Sequence, residues 1–298
     1  MLAAYIGMCI SVVVWGSNFV AGDWLVHQLN PVLVAATRLI FSSSFLVISG
    51  LIMHRFAKLS KRHFLILLAS GVVGTLLNQT CFFSAVRYIS PAQSALIMSL
   101  SPVVTSLFSF LILKEKIALK TAVGAMVAIF GVFLLVMRGA HIHLNVGDAF
   151  SAGAMLTFSL NMVLVRKLSK ELNYFTITIF STVMGTTLFV PTATATQGLP
   201  MYSHALIFWT VLILSAVLSQ GLCQIWMNNA VAKLGATQVA VVTNLQPFIA
   251  MIVGYFALNI PVTKIQIVGG LIIIAGIVLA TVKLQRKRPR KQNIAIPM

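Results

Sequence analysis

Carboxylates are the scarcest chemistry in this 298-residue chain, which carries four acidic residues: Asp23, Glu115, Asp148 and Glu171. All four fall at the ends of apolar stretches or in the loops between them, so a buried Asp/Glu proton relay of the kind many antiporters use is not expected. Cysteine is nearly as rare. Cys9, Cys81 and Cys223 sit inside apolar runs, which excludes a disulfide framework or a CxxC metal pair. His141 and His143 form a lone His-x-His in a short loop with no third ligand nearby, so no metal or other cofactor is expected. An intramembrane enzyme would need a convergent acid, base or metal set, and four peripheral carboxylates with loop histidines do not supply one. Charged residues of both signs make up 8% of the chain against 59% hydrophobic. Soluble domains carry about 25% charged residues, so the chain reads as an integral membrane protein without room for a soluble domain.

What is present is long apolar runs. A bilayer core of about 30 Å takes about 20 apolar residues per helix. Hydropathy with loop signals predicts ten spans, at 2–22, 32–52, 64–85, 91–113, 119–138, 147–166, 174–194, 205–228, 236–258 and 263–283. The fold class is an all-α polytopic membrane protein. The first run lacks a basic leader and exceeds the length of a signal peptide core, so it reads as a retained helix.

The stretch from Gln79 to Leu134 occurs twice. At an offset of 145, Gln79 falls on Gln224, Ala85 on Ala230, Gln93 on Gln238, Leu100 on Leu245, Pro102 on Pro247, Gly124 on Gly269 and Gly131 on Gly276. Matched Gln, Pro and Gly are uncommon in so apolar a chain, and they keep one ungapped register. Nearer the start the offset is 143, which places Asn18 on Asn161 and Asn30 on Asn173. The units are therefore residues 1–140 and 141–284, five spans each, followed by a basic tail at 285–298.

Five spans is an odd number, so the second unit must enter the membrane in the opposite sense to the first. The positive-inside rule tests this. With the N-terminus inside, all of the 21 Lys and Arg residues fall on inside loops or the tail except Arg87, Arg138 and Lys264 outside and Arg38 within a span. The inside turn "LKEKI" of the first unit corresponds to the outside turn "LNIPV" of the second, stripped of charge. Ten spans with both termini inside, as a 5+5 inverted-topology repeat, is the expected arrangement. Secondary transporters use this design and place the substrate at the repeat interface near mid-membrane. The net charge of +17 then belongs to the inner loops and to a tail, Arg286 to Lys291, that would sit on anionic headgroups and not on nucleic acid.

Pro102 and Pro247 fall at the centres of the fourth and ninth spans and point to matched helix interruptions, with a plain kink as the alternative. Around them, Ser94, Met98, Ser101 and Thr105 share a face, as do Thr243 and Gln246, with Asn244 close by. Gln79 groups with Thr75 and Phe83; Gln224 with Gln220 and Asn228; Trp15 and Asn18 with Ser11; Phe158 and Asn161 with Ser151. Polar side chains in hydrocarbon either glue helices or line a cavity, and recurrence of this set in both units favours a cavity. Aromatic faces beside amides suit a small amphipathic organic solute. Arg38 is the clear intramembrane charge, matched by Ser181. It is either a counter-charge for a solute carboxylate or a snorkelling, carbonyl-bonded residue. Asp148 is expected to cap the sixth helix and Glu115 the fifth. The glycines seven apart, Gly124 with Gly131 and Gly269 with Gly276, read as close helix packing.

These residues sit in stretches that resemble an EamA-type member of the drug/metabolite transporter superfamily, across all ten spans. The resemblance rests on "VVWGSNFV", the Arg of "VAATRLI", "SPAQSALIMSLSPVVTSLFSFLILKEKI" and "AVGAMVAIFGVFLL". The second unit adds "GDAFSAGAMLTFSLNMVLVRKL", "LGATQVAVVTNLQPFIAMIVGYFALN" and "VGGLIIIAGIVLA". It implies a bundle in a prokaryotic plasma membrane with a central cavity formed mainly by helices 1, 3, 4, 6, 8 and 9, and export of amino acids or related metabolites. One departure is that Ile260 stands where the family's second unit carries an acid, opposite Glu115. The expected function is a secondary, alternating-access exporter of a small-molecule solute, with multidrug or cationic-compound efflux as the alternative. An intramembrane lipid-modifying enzyme and a polytopic sensor are the rival classes. Monomer and homodimer are both compatible with the sequence.

Overall fold

The computed structural model describes residues 2–53, 59–85, 88–89, 91–116, 118–136, 145–198, 205–259 and 261–281. Arg55, Lys58, Arg87, Arg138, His141, His143, Ile260 and the basic tail from Lys283 lie outside them. The described chain is helical, without a strand. It forms apolar rods here labelled α1 (Leu2–Val26), α2 (Pro31–Ile52), α3 (Lys61–Ala85), α4 (Ser94–Leu113), α5 (Leu119–Val136), α6 (Val146–Leu168), α7 (Tyr174–Gln197), α8 (Leu206–Leu234), α9 (Ala236–Ala257) and α10 (Lys264–Thr281). Eight are long and apolar enough to cross a membrane, and α5 and α10 are apolar but shorter.

The bundle is turned inside out relative to a soluble protein. Large apolar side chains such as Ile52, Leu65, Leu107, Phe110, Phe130 and Leu271 are exposed, where lipid would cover them. Hydroxyls and amides of Ser42, Ser94, Thr105, Ser151, Thr178 and Asn228 are buried. Helix association in lipid depends on such interior polar bonds and on tight packing, since the tails offer no hydrophobic drive.

The packing pattern is the same from either unit. α1 packs on α8 and α9, and α6 on α3 and α4; α2 packs on α8, and α7 on α3. Three further contacts pair a helix with its own counterpart: α2 with α7, α4 with α9 and α5 with α10. The correspondence reaches single bonds. Ser11 Oγ donates to the Cys223 carbonyl at 3.3 Å and Asn78 Nδ2 to the Ala154 carbonyl at 2.8 Å. Ser11 and Ala154 are matched positions, and so are Asn78 and Cys223. Asn244 Nδ2 donates to the carbonyl of its own counterpart, Ser99, at 3.1 Å, and Ser43 shares a 2.7 Å hydroxyl bond with its counterpart Thr186. α5 and α10 run antiparallel, Gly124 against Gly276 and Gly131 against Gly269. The main core joins both units, with Met8, Val12 and Leu67 packed among Met162, Val163, Ile177, Met227 and Val239.

Local chemistry repeats as well. Asn30 and its match Asn173 cap α2 and α7 by accepting from Val32 N at 2.9 Å and Phe175 N at 2.8 Å. α6 opens with a capping box in which Asn145 accepts from Gly147 N while Asp148 accepts from Asn145 N, both at 2.7 Å. α4 and α9 end on matched residues in the left-handed region, Lys114 at φ 57° and Asn259 at φ 53°. Asn tolerates that conformation more readily than Lys.

At one end of the bundle, Glu171, in the loop after α6, holds the start of α3 through His63 Nε2 at 2.8 Å and Arg62 at 3.7 Å. The hydrogen bond from His63, then the charge of Arg62, keep the Glu171 carboxyl below its ordinary range. A depressed carboxyl contributes stability above its unfolded pKa and loses it as pH falls through the folded value. Thermal melts from pH 7 to pH 3 should therefore show wild type losing its advantage over Glu171→Gln below about pH 4. Parallel curves for the two proteins would show that the tie is not formed.

Candidate functional site

Two matched irregularities shape the interior. α3 contains a π-helical segment at Val72–Leu77 and α8 another at Ala216–Leu222, positions related by the same offset of 145. A π turn inserts an extra residue, widens the helix and leaves carbonyls without their usual partners, and such segments cluster at functional sites. In α8 one of these carbonyls, that of Ser219, accepts from Trp15 Nε1 at 2.8 Å.

α4 and α9 are interrupted, but differently from a kinked rod. Each breaks at a short turn, and Pro102 and Pro247 then occupy the first turn of the next segments, Ser101–Phe108 and Gln246–Leu258. A proline there gives up a donor that would be unpaired anyway. At the α4 break the Ser99 carbonyl is taken by Asn244 of α9, and the Ser101 carbonyl just after it also accepts from Ser159 Oγ of α6 at 3.3 Å. The two breaks are thus stitched to each other and to α6.

Between the π segments lies a cavity of about 70 Å³. α3 contributes Ser70, Gly74, Thr75 and Gln79, α6 contributes Asn161, and α7 contributes Ser181 and Thr182. Gln220 and Gln224 come from α8 and Leu39 from α2. Its walls are amides and hydroxyls, able to donate and accept hydrogen bonds to a polar organic group. Ligand pockets run to about 300 Å³ or more, so this conformation has room for a few waters and a solute would require it to widen.

Gly74 is what lets Asn161 lie across the α3 segment. A Cβ at Gly74 would fall 2.3 Å from Asn161 Cγ, and Asn161 Oδ1 accepts from Ser70 Oγ at 2.6 Å. The matched position in α8 is Ser219. Its Oγ accepts from Arg38 Nη2 at 2.9 Å and donates to the Ser215 carbonyl at 2.6 Å. Asn18, the match of Asn161, accepts from the same Arg38 nitrogen at 3.1 Å. Each asparagine therefore sits at the π segment of the other unit, in one case over a glycine and in the other through an arginine.

Gln79, Asn161 and Gln224 come together on the cavity wall. Asn228 backs that wall, donating to Thr178 Oγ1 at 2.8 Å and accepting from Gln224 at 3.4 Å. Trp15, Asn18 and Arg38 form the adjoining cluster at the α8 segment. Phe158, like Trp15, packs on the main core. Phe83 is buried between Ala35, Ala36, Leu39 and Phe189. Met98, Ser101, Pro102, Thr243, Gln246 and Pro247 are grouped at the α4/α9 breaks and do not line the cavity. The wall draws on α2 and α7 rather than on α1, α4 and α9. Sequence reasoning did not single out Leu39, Ser70, Gly74 or Thr182, and no motif marks them.

Glu115, expected as a cap for α5, is instead bonded to Arg166 at the end of α6, Nε to Oε1 at 3.1 Å. Arg166 Nη1 also donates to the carbonyl of Ala232 at the end of α8. One side chain thus ties the ends of α4, α6 and α8. A hollow of about 140 Å³ beside this tie is lined by Ser109, Lys116, Thr121 and residues 235–238.

The apolar exterior, the polar interior and two matched sets of helices define a multi-pass helical membrane protein. Residues 2–137 and again 145–282 match the EamA-like transporter family, and the chain belongs to that family. It is similar to the uncharacterized transporter YetK of Bacillus subtilis, 24% identical over 97% of this chain and 89% of the relative. A second relative, the uncharacterized transporter YyaM of the same organism, is 25% identical over 75% of each chain. A solved crystal structure at 16% identity superposes with a TM-score of 0.79 over 95% of this chain and 99% of its own, which extends the shared fold and nothing more.

Proposed function

We propose that the chain is a secondary transporter that exports a small polar metabolite of the amino-acid class by alternating access. In this reading the ten helices are spans, residues 1–140 and 141–284 are oppositely oriented units, and both termini are cytoplasmic in a prokaryotic plasma membrane. The observation that carries it is the amide-lined cavity held between matched π segments, with walls from both units. Membership in a transporter family supports solute movement, and the reciprocal packing of counterpart helices supports an inverted repeat whose units rock about the cavity. Cationic-drug efflux is less well supported, because the cavity wall carries no carboxylate and the adjoining charge is Arg38. The same wall offers hydrogen bonds but no nucleophile paired with a base, which favours a carrier over an enzyme.

The test is flux of labelled solutes, chosen by a thermal-shift screen, into liposomes holding the purified protein. Asn161→Leu and Gln224→Leu are expected to lower the initial rate at least about tenfold, in line with loss of two or more hydrogen bonds at about 1 kcal/mol each, while the protein remains folded. Bulky replacements at Asn18, Ser101 and Gln246 are expected to act in the same direction. Wild-type flux from both Asn161→Leu and Gln224→Leu would remove this site.

A further inference from the structure

Arg38 presents a buried charge whose bonds within the fold are to neutral groups. Its side chain is 5% exposed, seven residues into α2, so it does not snorkel to the surface. Nη2 donates to two neutral oxygens, Asn18 Oδ1 and Ser219 Oγ, and buried Nε has no partner. Among the described residues no carboxylate lies within ion-pair distance of it, whereas Arg62, His63 and Arg166 each meet one. A buried cation without a counter-ion is costly in hydrocarbon, and such residues mark substrate paths. The second unit supplies an internal control. There the matched residue is Ser181, which bonds back to the Ile177 carbonyl of its own helix and lines the cavity. The same packing is built around a serine, so helix packing alone does not call for an arginine.

We infer that Arg38 is an oxyanion anchor, and that the transported solute presents a carboxylate to the guanidinium. This rests on the transporter reading above and narrows it to solutes with an anionic group. Asn18 and Ser219 hold one edge of the fork, and Trp15 fixes the Ser219 backbone beneath it. The unpartnered Nε–H is open to one carboxylate oxygen once the helices part, and the second oxygen would displace Asn18 or Ser219 from Nη2 on the same edge of the planar guanidinium. Leu39 and Gln220, the sequence neighbours of Arg38 and Ser219, lie on the cavity wall, so the anchor borders the proposed solute space.

The purified full chain in detergent is titrated, by thermal shift, with amino acids and with their amides, in which a neutral carboxamide replaces the carboxylate. Inorganic phosphate is titrated alongside. The expected result is at least one amino acid binding tenfold or more tightly than its amide, with that preference falling to within about twofold in Arg38→Gln. Arg38→Lys should retain charge but lose the fork, weakening the acid at least threefold. If Arg38→Gln does not fold, Ser219→Ala should weaken the acid by a similar threefold. Arg38-dependent binding of phosphate without amino-acid binding would keep the anchor and assign its ligand to phosphate-bearing solutes. Equal binding of acids and amides, an acid preference that survives Arg38→Gln, or no response to any of these probes would overturn it. Liposome flux of a neutral solute on the same preparation separates that failure from failure of the transporter reading.

Discussion

In the proposed topology, Arg166→Ala should open the inner end of the bundle. The side chain makes a bond to Glu115 that is charged on both sides, and a bond to the Ala232 carbonyl. Charge-assisted hydrogen bonds contribute about 1.5 to 3 kcal/mol, but these groups are a quarter to a third exposed, so solvent screening brings the ion pair to about 1 kcal/mol. With the carbonyl bond the tie is worth about 2 kcal/mol, or roughly thirtyfold in the ratio of closed to open inner ends. The readout is labelling of Ser109→Cys, buried beside the tie, by a membrane-impermeant maleimide from the inner side. Cys9, Cys81 and Cys223 are all free and must first be replaced. Arg166→Ala should raise the labelling rate tenfold or more and depress solute flux. Glu115→Gln should do less, because the carbonyl bond persists. An unchanged labelling rate in Arg166→Ala would show that the tie is not a gate.

That tie also shows where sequence reasoning stops. Glu115 and Arg166 are 51 positions apart in different units. Nothing local distinguishes a carboxylate that caps the next helix from one that reaches across to another, so the cap was the natural expectation. The same limit applies to the cavity. Gln79 and Gln224 stood out because an amide is rare in an apolar run and occurred twice at one offset. The π segments just before them have no such mark, since an added residue per turn changes neither composition nor hydropathy. Gly74 and Ser219 sit at one matched position yet differ, and a repeat search discards mismatches. That mismatch is where the units diverge in chemistry, glycine admitting Asn161 and serine receiving Arg38. By contrast the start of α6, where Asp148 completes the capping box, and the glycine faces of α5 and α10 are legible, because a cap acts within one turn of chain and glycines seven apart share one helix face. The prolines are legible as breaks, but the bond that joins those breaks, from Asn244 to the Ser99 carbonyl, depends on how α4 and α9 meet.

Gly276→Leu should unfold the protein more effectively than any substitution in the cavity. A Cβ at Gly276 would lie 2.5 Å from Ala128 N and 2.7 Å from the Gly124 carbonyl, and one at Gly131 would lie 2.7 Å from the Gly269 carbonyl. The obstacles are backbone atoms, which cannot rotate away as a side chain does, so α5 and α10 must separate along their length. Overpacking in a well-filled interior costs about 1 to 3 kcal/mol when side chains can adjust; against backbone, about 3 kcal/mol or more is expected, a large part of a typical stability of 5 to 15 kcal/mol. Gly22 is the control: nothing lies within 4 Å of a Cβ there, so Gly22→Leu should gain about 0.5 to 1 kcal/mol from helix propensity. Thermal unfolding of detergent-purified protein should separate the two by well over 5 °C, or Gly276→Leu should yield no folded protein at all. Gly131 is the counterpart of Gly276 by the repeat offset, and it meets the opposite helix at the equivalent place. Leu at either position should therefore cost a similar amount. A mild effect at one and a severe effect at the other would mean that the α5/α10 seam is not packed alike at its two ends, and the equivalence of the two units would lose its support.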